Sequence, residues 1–120
     1  MELNRLEKYK KQYKYFKKEI NSLQNYLTQL DKKTEPIETI NPNEVSQALH
    51  ISEFDAIFLL SLAEREHLVN RRFLVYSKDH NDPLGDFGTS EEIPPNIVNL
   101  DTGREVYKDN YYIDIIFEIA

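Results

Sequence analysis

The sequence contains no cysteine and no tryptophan, and only three glycines and one methionine among its 120 residues. Without cysteine, disulfides, thiol nucleophiles and cysteine-based zinc sites are excluded together. There is no run of about 18 apolar residues, so we expect no membrane-spanning helix. The first residues lack the apolar core of a secretory signal, and the lack of cysteine suits a reducing compartment. We therefore expect a cytoplasmic protein.

The charge of the chain is divided unevenly along its length. The composition is 40% hydrophobic and 30% charged, which is typical of a soluble domain of ordinary size or of a small domain with a helical extension. Residues 1–18 carry seven Lys or Arg against two acids, for a net charge of +5, whereas residues 19–120 carry a net charge of −11. This asymmetry predicts that the two ends have different partners or face each other.

Apolar residues recur at alternating steps of three and four from Leu6 to Leu30, and no proline or glycine occurs before Pro36. This heptad pattern predicts one helix over residues 1–35. At ~1.5 Å per residue, a helix of about 30 residues is roughly 45 Å long, which is more than a domain of about 85 residues can cover along its length. We therefore predict a coiled-coil seam formed by Leu6, Tyr9, Tyr13, Phe16, Ile20, Leu23, Leu27 and Leu30.

This seam predicts a homo-oligomer, most simply a dimer. Lys10 would face Asp31 in an antiparallel dimer, whereas Arg5 would face Lys10 in a parallel one, so the charges favour the antiparallel form. Each exposed pair contributes only ~0.5 kcal/mol. Two alternatives stay open: the seam packs on the C-terminal domain of its own chain, or it docks another protein. The lysines would form the solvated face of the coiled coil, with contact to nucleic acid as the alternative.

Two short helices are predicted in the middle of the chain. Asn41 followed by Pro42 is a strong helix start, and Glu44 lies where a capping-box acid belongs. Ser52 can cap the second helix, which is apolar over a wide arc and is predicted to run to about Val69.

Alternating apolar residues predict extended segments at 36–40, 71–76 and 111–119, with loops between the last two. The last segment has apolar residues at every odd position, which predicts one buried face. Turns are predicted at 82–85 and at 101–103, and Gly103 in the second turn permits a positive φ.

The order of these elements, and the patterns INPNEVSQALHIS and LVNRRFLVYS, resemble those of winged-helix domains. The resemblance covers residues ~25–77, with the end of the heptad helix as the first helix of the domain. It implies an α+β fold in which a heptad helix, residues 1–35, precedes a winged-helix domain, residues 36–120. A small antiparallel sheet would close the domain at its C-terminal end.

The chain after the wing resembles the small zinc ribbon that follows some bacterial winged-helix domains. The spacing of two Cys-x-x-Cys pairs is present, but the four ligand positions carry Ser77, His80, Asn99 and Thr102. A tetrahedral zinc site needs thiolates or imidazoles, and only His80 could ligate. We therefore expect a ribbon-like hairpin without metal or other cofactor. An elaborated wing with a closing strand explains nearly as much.

The sequence offers little for catalysis. It contains no nucleotide-binding loop, HExxH motif or nucleophile elbow. His50 and His67 are better explained as capping or surface residues than as catalytic ones. A metal cluster at Asp79, His80 and Asp82 is less favoured than a solvated loop. We expect that the protein is not an enzyme.

The charge of the predicted winged-helix domain opposes DNA binding. Residues 36–120 hold sixteen acids against six Lys or Arg, and a duplex would repel such a domain. The acids of the second helix also outnumber Arg65. The side chains that could contact DNA are Arg65, Arg71, Arg72 and Lys78.

The sequence therefore predicts a non-enzymatic interaction or adaptor protein. It would self-associate through the N-terminal helix and dock a protein partner with its acidic winged-helix domain. The resemblance to winged-helix-ribbon proteins implies an accessory role in a bacterial multi-component system such as phage defence. The alternative is a dimeric winged-helix DNA-binding regulator, and a third candidate is an inhibitor whose acidic surface mimics nucleic acid.

Overall fold

The computed structural model of the protein describes residues 2–32 and 39–120 and has a mixed α+β fold, as predicted. The helices are α1 (Glu7–Gln12), α2 (Lys17–Asp31), α3 (Pro42–Leu49) and α4 (Glu53–Arg65). The strands are β1 (Val69–Ser77), β2 (Pro83–Phe87), β3 (Asn96–Val98), β4 (Glu105–Tyr107) and β5 (Tyr111–Ile119). Short 3₁₀ segments occupy Leu3–Leu6, Lys14–Phe16, Ser90–Glu92 and Lys108–Asn110. In the described ranges no helix is long and apolar enough to cross a membrane.

The chain divides into two compact units. The helical unit comprises Met1–Asn70 with Phe117–Ala120, and the strand unit comprises Arg71–Ile116. In the helical unit, Leu59, Leu60 and Phe117 are among the fully buried side chains. In the strand unit, the core consists of Val75, Ile97 and Tyr111, against which pack Leu84, Phe87, Ile93 and Val106.

The predicted continuous heptad helix is wrong. The backbone leaves helical geometry at Tyr13, with φ −118° and ψ 73°, and the segment before it folds back on α2. Gln24 fixes this hairpin, because its Nε2 donates to the Leu3 carbonyl at 3.0 Å and to Glu7 Oε1 at 3.1 Å. The physical reason is burial: folding back covers the two halves of the apolar stripe within one chain, whereas a straight helix needs a second one.

Side-chain caps start α3 and α4 where the sequence predicts. Asn41 Oδ1 accepts a hydrogen bond from the Asn43 N–H at 2.8 Å, and Pro42 follows Asn41 as the first helical residue. Ser52 Oγ accepts from the Asp55 N–H at 3.0 Å. Each cap satisfies an N–H group that has no partner within its helix, which is why the two helices begin at these residues.

Two histidines follow α3 and α4 in the left-handed conformation. His50 has φ 56° and His67 has φ 59°. After α4, the Leu68 N–H donates to the Ala63 carbonyl at 3.0 Å, the bond of a Schellman motif. This motif ends α4 at Arg65, so the predicted extension to about Val69 is wrong. Both histidines terminate helices, in agreement with the capping role expected for them.

Strand β1 is the centre of a three-stranded sheet in the order β2-β1-β5, and β3 pairs with β4 in a second sheet. The segment predicted at 36–40 lies mostly outside the described residues, but Ile40 forms an antiparallel bridge with Phe117. The turn predicted at 82–85 is wrong, because Pro83 opens β2 and the turn precedes it, with Asn81 at φ 55°. Proline is tolerated there because β2 is an edge strand.

The predicted alternation along β5 holds only in part. Tyr111 and Phe117 are buried, but Ile113 is 45% exposed, so the odd positions do not form one continuous buried face. The adjacent residues Ile116 and Phe117 are both buried. Because neighbouring side chains of a strand point to opposite faces, both faces of β5 are covered near its end.

Candidate functional site

The break at Tyr13 gathers lysines around a tight turn in the helical unit. We call residues 10–18 the basic turn; it contains five lysines in the sequence KKQYKYFKK. Tyr15 is the most exposed of the large hydrophobic side chains described, at 99%. The heptad pattern predicted that these lysines form the solvated face of a coiled coil. The alternation of lysine and tyrosine in the sequence could have indicated a distinct surface here.

Aromatic rings from the basic turn pack against Phe58 of α4. The Tyr13 ring meets the Phe58 ring edge-on with 5.2 Å between centroids, and the Phe16 ring lies 5.1 Å from it. Such pairs contribute about 0.5–1.5 kcal/mol each beyond the burial of their area. Phe58 of α4 is therefore covered by the protein's own N-terminal segment.

A second attachment joins the N-terminal segment to the end of α4. Lys8 Nζ donates to Glu66 Oε1 at 2.7 Å, the Tyr9 hydroxyl donates to Glu66 Oε2 at 2.6 Å, and Arg5 Nη1 donates to the Glu66 carbonyl at 3.1 Å. Hydrogen bonds from Lys8 and Tyr9 lower the pKa of Glu66 below 4.5. Burial, with the hydrogen bond to Glu66, raises the pKa of Tyr9 above 10.0. Glu66 therefore holds three residues of α1 and its preceding turn.

The eight residues of the predicted seam are mostly covered within the helical unit. Five are buried, namely Leu6, Tyr9, Ile20, Leu23 and Leu27. The other three, Tyr13, Phe16 and Leu30, are half-buried. The apolar stripe thus has an explanation inside one chain, the alternative left open by the sequence. Self-association through these positions stays a prediction.

The four residues of the alternative DNA-binding prediction are divided between the units. Arg65 is exposed at the end of α4 in the helical unit, and Arg71, Arg72 and Lys78 belong to the strand unit. Arg72 Nε donates to Asp86 Oδ1 at 2.9 Å, so its charge is offset across the β1–β2 pair. Lys78 is exposed.

The two turns identified by the ribbon resemblance have the same backbone geometry. In the first, Asn81 has φ 55° and its N–H donates to the Ser77 carbonyl at 3.0 Å. In the second, Gly103 has φ 72° and its N–H donates to the Asn99 carbonyl at 2.7 Å. Both are five-residue turns that end in a left-handed residue.

Hydrogen bonds to Asp82 join these two turns. Ser77 Oγ accepts from the Asp82 N–H at 3.2 Å, and Asn99 Nδ2 donates to Asp82 Oδ2 at 3.3 Å. Ser77 and Asn99 are buried, at 6% and 5% exposure, whereas His80 is exposed. The Thr102 hydroxyl instead accepts a hydrogen bond from the Arg104 backbone N–H at 3.2 Å. Within residues 2–32 and 39–120, no three His, Asp or Glu side chains are grouped as metal ligands would be.

The β3–β4 hairpin carries an exposed apolar face that the sequence analysis did not identify. Ile97 pairs with Val106 and both turn toward the core, so their neighbours Val98 and Tyr107 turn outward. Val98 is 51% exposed and Tyr107 is 53% exposed. Leu100, in the turn that follows β3, is 93% exposed. We call these three residues the hairpin face.

An open cavity of about 560 Å³ lies between α2 and the end of α3, where its walls include Glu19, Tyr26 and His50. Burial raises the pKa of the Tyr26 hydroxyl. Among the residues that the structure describes, neither His50, which ends α3, nor Tyr26 forms a hydrogen bond with an acid or base that would activate it for catalysis.

No protein-family model, curated protein or solved structure matches the chain. The two resemblances therefore rest on the order of elements and on turn geometry. Function has to be inferred from the surfaces of the two units: the basic turn and the hairpin face.

Proposed function

We propose that the protein is a non-enzymatic interaction protein that docks a protein partner on the hairpin face. The observation that carries this proposal is the exposure of three large apolar side chains, Val98, Leu100 and Tyr107, on one small hairpin. Single exposed apolar residues are ordinary, but a group of them on one element is typical of a binding surface. Tyrosine in particular is enriched among residues that contribute most to binding.

Exposed charges of both signs lie beside the hairpin face, and Arg104 and Lys108 are the cations among them. Glu105 pairs with Val98 across the hairpin, and Asp101 lies in the turn beside Leu100; both carboxylates are exposed. An apolar centre with a charged rim is the usual anatomy of a protein interface. The partner surface would therefore be apolar with a rim of both charges, whose complementary placement would fix the orientation of the complex.

The alternative of a DNA-binding regulator has less support. A recognition helix must insert its outer face into the major groove. On α4, Phe58 already packs against Tyr13 and Phe16. The acidic balance of residues 36–120 opposes the approach of a duplex as well.

We also propose that the fold is a winged helix with an enlarged, ribbon-like wing. Supporting this, α2, Ile40, α3, α4, β1 and β5 follow one another in the expected order, with β5 next to β1 and bridged to Ile40. The matched turns at Asn81 and Gly103 support the ribbon part. On this resemblance, the partner would be a larger effector of a bacterial multi-component system such as phage defence, acting in the cytoplasm.

A photo-cross-linking experiment tests the docking proposal. A photoreactive phenylalanine replaces Leu100 in the full chain, and a matched protein carries it at Phe54, which is 82% exposed in the helical unit. We expect the protein with the probe at Leu100 to cross-link to a single discrete partner, and the protein with the probe at Phe54 to form no such cross-link. With that partner purified, Tyr107→Ala should weaken binding at least tenfold, because buried interface tyrosines commonly contribute about 2 kcal/mol or more.

Two outcomes contradict the proposal. Cross-links of equal yield from Leu100 and Phe54 would mean that the contacts are nonspecific. A cross-link that joins two copies of this chain would mean that the hairpin face serves self-association, and sedimentation of Tyr107→Ala would then show a loss of oligomer.

A further inference from the structure

The basic turn forms a cavity of about 580 Å³ whose walls are mostly lysine. Its lining side chains are Lys10, Lys14, Tyr15, Lys17, Lys18 and Glu19, with Asn21. A second depression of about 270 Å³ is lined by Lys11, Tyr13 and Phe16 among others. Lys14 and Tyr15 line both, so the two depressions adjoin at these residues.

Most of these ammonium groups remain available to a ligand. Lys10 is committed, since its Nζ lies 2.9 Å from Glu7 Oε1 and only 14% of its side chain is exposed. By contrast, Lys11, Lys14 and Lys18 are exposed, and none of them forms an ion pair with any residue in the described ranges. Several positive charges around one cavity, in a chain that is otherwise acidic, predict an anionic ligand.

Glu19 adds a second chemical requirement. Its Oε2 atom is buried and has no hydrogen-bond partner among the described residues. Because Glu19 also lines the cavity, a ligand that supplies an N–H group to its carboxylate would be stabilised there. A nucleobase amino group is such a donor, whereas phosphate has no N–H group and would add negative charge beside the carboxylate.

Tyr15 supplies the third requirement. Its side chain is 99% exposed at the junction of the two depressions, with its ring free to contact a flat ligand. Exposed aromatic rings between lysines are the stacking platforms on which single-stranded nucleic acid is bound. A base can stack on Tyr15 and reach Glu19 only when it is unpaired, because a duplex hides its faces and its pairing edge.

We propose that the basic turn binds single-stranded nucleic acid. Phosphates contact Lys11, Lys14 and Lys18, a base stacks on Tyr15, and a base amino group donates to Glu19. This site belongs to the helical unit and does not depend on the docking proposal for the hairpin face. It would give the protein a nucleic-acid ligand in addition to a protein partner.

Fluorescence anisotropy of labelled twelve-nucleotide RNA with the full chain tests the proposal. We expect saturable binding. The logarithm of the binding constant should fall with the logarithm of salt concentration at a slope of about −2, as for three phosphate contacts on a single strand. Tyr15→Ala should weaken binding about fivefold to a hundredfold, the effect of losing one stacked base. Lys14→Gln should reduce the slope by about 0.7.

Matched controls separate the site from general charge. Lys108→Gln and Tyr107→Ala alter exposed residues of the strand unit and should leave affinity unchanged. Oligocytidylate should bind more tightly than oligouridylate, because cytosine presents an amino donor where uracil presents an acceptor. Glu19→Gln should abolish that preference.

The contrary results are distinct. Absence of binding at about 100 µM protein in low salt overturns the proposal, since even nonspecific sites bind in that range. Equal affinity for a duplex, or unchanged affinity of Tyr15→Ala for RNA, also overturns the proposal, because either result would show that no base stacks on Tyr15. Binding to vesicles of anionic phospholipid without binding to RNA would assign the basic turn to a membrane surface instead.

Discussion

Replacement of Leu23 by alanine tests whether the heptad stripe is the core of a single chain. Leu23 is 1% exposed on α2, within the hairpin that α2 forms with the N-terminal segment. Loss of three carbon groups removes about 2.4 kcal/mol of transfer free energy, at ~0.8 kcal/mol each. The cavity left behind adds to this, so the free energy of unfolding should fall by about 2–5 kcal/mol.

Urea unfolding, followed by circular dichroism at two protein concentrations about tenfold apart, measures this loss and its molecularity. The matched control is Leu100→Ala, at 93% exposure, which should change the unfolding free energy by less than about 0.5 kcal/mol. If the stripe is intramolecular, the midpoint is independent of concentration for every variant.

The opposite set of results would show that the heptad stripe lies between two chains. The unmutated protein would then unfold at higher urea as its concentration rises, as an oligomer must. Leu23→Ala would abolish that dependence, and sedimentation would show an oligomer giving way to a monomer. Such a result would restore the coiled-coil prediction and make the hairpin wrong.

Three further predictions follow from hydrogen bonds of the fold. The pKa of Glu66 is lowered in the folded state, so its carboxylate stabilises the fold above pH 4.5. This stabilisation is lost as the pH falls through the lowered pKa of the folded state. Glu66→Gln should therefore flatten the acid limb of Tm against pH, and Glu91→Gln should not. In urea, Ser52→Ala should cost about 1 kcal/mol through loss of the α4 cap, whereas Ser61→Ala inside α4 should cost less than about 0.5 kcal/mol. The ribbon resemblance predicts a metal site in a variant that carries cysteine at Ser77, His80, Asn99 and Thr102. This variant should fold and bind Co²⁺ with the spectrum of tetrahedral thiolate coordination. An octahedral spectrum would contradict the resemblance.

The parts of the fold that sequence predicts well are set by local chemistry. Asn41 and Ser52 each bond an N–H two or three residues ahead, so the starts of α3 and α4 can be found from short range alone. Gly103 likewise adopts the positive φ expected for it. The end of α4 was missed because His67 takes the left-handed conformation usually filled by glycine.

The hairpin at Tyr13 was missed for a different reason. A heptad stripe states which side chains must be buried but not which surface buries them. Leu6 and Leu27 are buried in the helical unit, as they would be in a dimer. The break carries neither proline nor glycine, so no residue type marks it, and only the long-range contacts of Gln24 and Phe58 define it.

The candidate surfaces were equally hard to predict. Tyr15 and Phe16 are adjacent aromatic residues of similar type, yet Tyr15 is fully exposed and Phe16 packs on Phe58. The exposure of Val98 follows from the pairing of Ile97 with Val106, which a sequence of two short strands does not fix. Both surfaces depend on tertiary register rather than on composition.

The N-terminal segment folds back onto Phe58 of α4 in the same chain, and most lysines of the basic turn are exposed. Proton NOEs in a sample that mixes isotope-labelled and unlabelled protein test this arrangement most directly. We predict aromatic NOEs from Tyr13 and Phe16 to Phe58, whose ring centroids lie 5.2 and 5.1 Å apart, only within labelled chains. NOEs between these rings that connect labelled to unlabelled chains, or their absence altogether, would contradict the account.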